Sequence, residues 1–149
     1  MIDDSTRILY SEVILDKKAK TVVLFLRRAH QWFKDHWVLI KAILCDNGKE
    51  FTTHREQGKA KHIFTVTCNE LSIKQKFTRV RKPQTNWKIE RFWRTSNNER
   101  FSVVEFKDWN EVVSSLKTYM NYYNYHRKHW ALWWSPPMKR LQEQLSKPQ

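Results

Sequence analysis

The sequence predicts an α/β domain that ends in a helical tail. Three observations predict it. Short apolar or alternating runs read as strands in the first half of the chain. Segments with apolar residues at spacings of three and four separate them. From position 87 onward only the helical spacing recurs, so strands alternating with helices give way to helices alone.

Arg7 to Leu15 is rich in strand formers and predicts a strand. Asp16-Lys17-Lys18 marks a turn. Val22, Val23, Phe25, Leu26, Ala29, Trp32 and Phe33 then predict an amphipathic helix over 19–34. Val38 to Cys45 is nearly unbroken in apolar residues, as expected of a strand buried on both faces of a sheet. Phe51 to Lys61 is polar and predicts a loop. A helix over 62–71 and a strand over 73–80 follow, the strand's polar positions being the basic Lys74, Lys76 and Arg79. Asn86 is the natural N-cap of a helix starting near Trp87, and Asp108 that of a helix running to about His126. A short terminal helix carries Leu141 and Leu145.

The chain of 149 residues has room for one domain with a real core. Lys and Arg number 28 against 15 acidic residues, a formal net charge of +13. So basic a domain points to a polyanionic partner, and nucleic acid fits better than a membrane surface because the basic residues are not gathered on one amphipathic helix. No apolar run approaches the ~20 residues that span a bilayer, and the start Met1-Ile2-Asp3-Asp4 is no signal peptide, so the expectation is a cytoplasmic protein with no membrane partner. Cys45 and Cys68 are expected to be buried thiols in a reducing compartment rather than metal ligands.

Two carboxylates stand out. Asp46-Asn47-Gly48 follows the apolar strand directly, and the carboxyl end of a strand in an α/β sheet is where ligands bind. Asp-Asn-Gly is also ordinary turn chemistry. Glu90 lies about one turn into the helix that follows a basic strand and loop, where it could equally offset the helix dipole. Were they to converge, Asp46 and Glu90 would offer oxygen ligands to a hard divalent cation.

The ordered pattern is longer than these two residues. Asp46-Asn47-Gly48-x-Glu50-Phe51, Cys68-x-Glu70-Leu71 and Pro83-Gln84-Thr85-Asn86-x-Lys88-x-Glu90-Arg91-Phe92 occur in sequence. So do Ile2-Asp3-Asp4-Ser5-Thr6-Arg7, Trp93-Arg94-Thr95, Tyr122-Tyr123-Asn124-Tyr125-His126-Arg127 and Ser135-Pro136-Pro137. Together they resemble the integrase-core (DDE) family of insertion-sequence transposases and retroviral-type integrases, nearly end to end. The resemblance implies an RNase H-like fold with a central mixed sheet, its first strands missing, flanked by helices. It implies a partial catalytic core over 1–101 and C-terminal helices of the same domain over 102–149. It implies Mg²⁺- or Mn²⁺-dependent cleavage and strand transfer of DNA by three carboxylates, with Asp46 as the second and Glu90 as the third. The first Asp of the family lies upstream of the Ile-Asp-Asp stretch with which this chain begins, so Asp3 and Asp4 do not inherit its role by position. Whether this chain is an enzyme by itself is therefore open, and a catalytically dead DNA-binding or oligomerisation remnant, or a basic protein-interaction domain, are the alternatives. Lys76, Arg79, Arg81, Lys82, Asn86, Lys88, Arg91 and Arg94 are the expected DNA contacts, and a homo-oligomer is implied by the same resemblance. His126-Arg127-Lys128-His129 is a second basic cluster, equally well read as cations at a helix C-terminus.

One count is abnormal: glycine occurs twice and tryptophan eight times, where a chain this long averages about ten glycines. Trp87, Trp133 and Trp134 stand where the resembled family has glycine, Trp37 occupies a similar place, and Trp130 is a further candidate. Trp93 and Trp109 are expected on apolar helix faces. UGA codons that mean glycine, written as tryptophan, would account for both counts, and decay of the gene is the alternative.

Overall fold

The computed structural model describes residues 1–53, 58, 61–78 and 87–147. Its element order is α1 (Ala19–Asp35), β1 (Ala42–Cys45), α2 (Ile63–Glu70), β2 (Lys74–Phe77), α3 (Trp87–Ser96), a π-helical turn (Asn97–Phe101), α4 (Trp109–Tyr125), a 3₁₀ turn (Trp130–Leu132) and α5 (Pro137–Leu145). The chain divides into two compact units, Ile14–Trp87 and Met1–Val13 with Lys88–Gln149.

In the unit Ile14–Trp87, α1 buries Val22, Val23, Leu26, Ala29 and Phe33. These are positions of the expected stripe, and α1 packs by them against α2. Phe64 and Cys68 of α2 are fully buried, with Ile73 beside them in the core. The two strands pair in parallel, with Ala42 opposite Lys74 and Cys45 opposite Phe77. Among the described residues the sheet is this parallel pair, not a mixed sheet. The expected burial of 38–45 on both faces is not found. Leu39 is 79% exposed and Leu44 46%, and Cys45 alone of β1 is buried. A run of apolar residues reports affinity for a core, not how many layers cover it.

In the other unit, Leu9, Phe92, Tyr119 and Tyr123 form the core, with Ile2 and Met120 packed against it. Asp108 caps α4 as expected, accepting from the Glu111 amide at 2.9 Å. Pro137 occupies the first turn of α5, where a missing N–H costs nothing. Trp93 and Trp109 are 50% and 61% exposed, and the Trp93 ring lies 5.0 Å from that of the buried Phe92.

Arg7–Leu15 is not a strand. The segment makes one isolated antiparallel bridge, Leu9 with Ile2, around a turn held by Asp3, whose Oδ2 accepts from the Ser5 and Thr6 amides and the Thr6 hydroxyl. Its strand-forming side chains serve burial instead, Ile8 and Leu9 being 0% and 1% exposed. The Leu9 amide and carbonyl, which a ladder would have used, are both taken by the Asn124 side chain at 2.8 Å.

Candidate catalytic site

Asp46 leaves the end of β1 as an exposed side chain on a short, well-tied turn. The parallel ladder continues one step past the strands, with the Thr78 amide donating to the Cys45 carbonyl at 2.9 Å. The Asn47 side chain then donates to the Thr78 carbonyl at 3.1 Å, fastening the turn to the exit of β2. Asp46 Oδ1 accepts from the Gly48 amide at 2.8 Å, an Asx turn that fixes the carboxylate's orientation. The Gly48 carbonyl in turn accepts from the amides of Phe51 and Thr52.

A Cβ at Gly48 would lie 2.6 Å from Glu50 Oε2 and 2.9 Å from Asp46 Oδ1, both ends of side chains that can swing aside. The Asp46 and Glu50 carboxylates thus converge on one glycine. Glu50 belongs to the Asp46-Asn47-Gly48-x-Glu50-Phe51 motif, and its place two residues after the glycine brings it to the same turn.

His62 ties α2 to the same turn. Its Nδ1 accepts from the Phe64 amide at 3.3 Å, which caps the helix. Its Nε2 lies 3.1 Å from the Lys49 carbonyl. The two bonds together fix the orientation of the ring between α2 and the turn. Behind the turn, burial pushes the Cys45 thiol up to about 12 and the Cys68 thiol to about 11. Both cysteines are free and buried, as expected, and as protonated thiols they are inert.

Glu90 belongs to the other unit. It is exposed in the first turn of α3, and α3 is anchored by Phe92 in the aromatic core. Lys88 carries an ion pair to Asp4 and is only 24% exposed. Arg91 and Arg94 are exposed on the same helix, and Lys76 is exposed on β2 beside Lys74. Arg79, Arg81, Lys82 and Asn86 lie outside the described residues.

The cluster at 126–129 is partly internal. Arg127 forms a two-pronged pair with Glu99, its Nη2 2.7 Å and its Nε 3.0 Å from Oε1, and the Tyr119 hydroxyl donates to Glu99 Oε2 at 2.8 Å. Burial works to raise the Glu99 carboxyl, but the hydrogen bonds from Arg127 and Tyr119 outweigh it and hold it below the usual range. Burial, with Arg127 nearby, lowers His129 to about 4, so its ring is neutral at pH 7. Of this cluster, therefore, Arg127 is committed to Glu99 and His129 is not a cation.

Among the described residues no three His, Cys, Asp or Glu side chains come together as a metal-binding group. The acidic donors at the Asp46 turn are carboxylate oxygens, which suit a hard cation such as Mg²⁺ or Mn²⁺ and not a soft one. No helix among the described residues is long and apolar enough to cross a membrane.

The chain is similar in sequence and fold to known proteins. A family model described as integrase core domain matches residues 71–137. The chain is 32% identical over 147 residues to "Putative integrase ORF3" of Spiroplasma virus SpV1-C74, a match that covers 94% of this chain and 40% of that protein. The fold matches the catalytic core domain of BIV integrase with a TM-score of 0.65, at 20% identity, over 97% of this chain and 84% of that one. The fold class is therefore the α/β, RNase H-like architecture of integrase catalytic cores. Residues 71–137 thus match the integrase-core family model, and the chain spans 40% of the length of the curated relative it matches.

Proposed function

We propose that the chain serves in metal-dependent cleavage and strand transfer of DNA, with Asp46 and Glu90 as the carboxylates it contributes to a shared Mg²⁺ or Mn²⁺. The observation that carries the reading is the Asp46 turn. A carboxylate stands at the carboxyl end of a β-strand, oriented by the Gly48 amide and fastened through Asn47 to the neighbouring strand exit. A group so held is preorganised, as a ligand to a reacting centre must be.

Bound there, the metal would activate the attacking hydroxyl and stabilise the leaving oxygen. Asp46 and Glu90 would hold it. The exposed cations Lys76, Arg91 and Arg94, with Arg79, Arg81 and Lys82, would bind the phosphate backbone and set its register. Asp3 is used as a turn cap, and Asp4 is paired with Arg7 and Lys88. Self-association belongs to the same proposal, on the family relationship alone.

The test is DNA binding followed by fluorescence anisotropy across a salt series. Six phosphate contacts predict an affinity loss of about 10³-fold between ~50 and ~200 mM salt, and Arg94→Glu should shallow the log–log slope by about one. An affinity indifferent to salt would remove DNA as the partner. Adding Mg²⁺ or Mn²⁺ to the same DNA, and analysing it for cleaved and joined products, separates transfer from binding alone.

A further inference from the structure

Among the described residues five non-glycine positions have left-handed backbone: Arg7, Trp37, Ser72, Trp133 and Trp134. Three of the five are tryptophan. Such a conformation drives the β-carbon of an L-residue against the following carbonyl, and glycine alone is free of that penalty.

The local structure at each tryptophan calls for glycine independently. Trp37 follows the C-cap of α1. Its amide donates to the Lys34 carbonyl at 3.0 Å and that of Val38 to the Phe33 carbonyl at 2.9 Å. That bond pair closes a helix around a left-handed residue, which is usually glycine. Trp133 and Trp134, with φ of 52° and 59°, are two left-handed residues in succession. Their amides donate to the carbonyls of Trp130 and His129, closing the turn after the 3₁₀ segment.

These side chains are largely in solvent. Trp37 is 83% exposed, Trp133 90% and Trp134 60%. The Trp134 ring meets Trp130 edge-on, and Trp130 is itself 79% exposed. Arg7, by contrast, uses its position to donate to the Asp4 carbonyl. The composition points the same way: two glycines and eight tryptophans, against about ten glycines on average.

We propose that positions 37, 133 and 134 are glycine in the protein the source cell makes, their tryptophans arising from UGA codons that this cell reads as glycine. One codon reading narrows the glycine deficit and the tryptophan excess together, and it accounts for the coincidence of tryptophan with left-handed backbone. Its consequence is that the aromatic cluster at 130–134 is not a docking surface, because two of its three indoles are absent from the cellular protein.

Two experiments decide it. Peptide mass spectrometry of the protein isolated from its source should find glycine at 37, 133 and 134. Tryptophan at these positions would overturn the proposal. In the protein expressed as written, Trp37→Gly, Trp133→Gly and Trp134→Gly should each raise the folding equilibrium constant by about fivefold. Trp93→Gly, in the helical backbone of α3, should lower it by about the same factor. Losses at all four positions alike would remove the conformational basis of the proposal.

Discussion

Replacing Asp46 with asparagine should slow metal-dependent DNA cleavage and joining by about 10³-fold or more. The substitution keeps shape: an amide oxygen can still accept from the Gly48 amide, so the turn persists. What it removes is the negative charge that holds a hard cation, and the several kcal/mol of charge stabilisation which that cation supplies go with it. Glu90→Gln should have an effect of the same order. Salt-dependent DNA binding without metal should be retained by both variants, because neither residue is a phosphate contact. Gel analysis of reaction products, set beside anisotropy in the absence of metal, reads the two effects separately. Loss of metal-free binding in step with activity would mean that the substitutions damage the fold rather than the chemistry.

The largest expected effect on stability lies at Asn124. Its amide group accepts from the Leu9 amide and donates to the Leu9 carbonyl, both at 2.8 Å, and the side chain is 1% exposed. Asn124→Leu would fill similar volume but leave two buried backbone groups without partners. At about 1–3 kcal/mol for each unsatisfied group, the variant should lose about 2–5 kcal/mol. Urea denaturation should show a lower midpoint with little change in slope. Asn121→Ala, at an exposed site three residues back on the same helix, should stay within about 0.5 kcal/mol of the parent. Equal losses in both variants would mean that Asn124 acts through helix propensity and not through Leu9.

That pairing also marks where the sequence stopped being legible. The α1 stripe, the Asp108 cap and the Asp46 turn are local features, each readable from a few neighbouring residues. Arg7–Leu15 has the composition of a strand but not its ladder. What settles its fate is a side chain on α4, and no periodicity reveals a partner so distant in sequence. Arg127 was similarly opaque. It reads as one cation in an exposed cluster, yet it is paired with Glu99, which also accepts from the Tyr119 hydroxyl. For 38–45 the apolar run was visible, but the exposure of Leu39 and Leu44 depends on what covers the sheet. Asp46 and Glu90 were legible by pattern because each begins or closely follows an element boundary. Glu50 is in the same motif, but its approach to the Asp46 carboxylate depends on how the turn folds back and is not visible in the sequence.

The most direct trial of the shared-cation assignment is Mn²⁺ binding to the parent, Asp46→Asn, Glu90→Gln and the double variant, followed by electron paramagnetic resonance. Two ligands of one ion are coupled, so each single change should weaken binding by at least about tenfold, and the double variant should lose little more than either single one. Undiminished binding in either single variant, or losses that simply add, would contradict it.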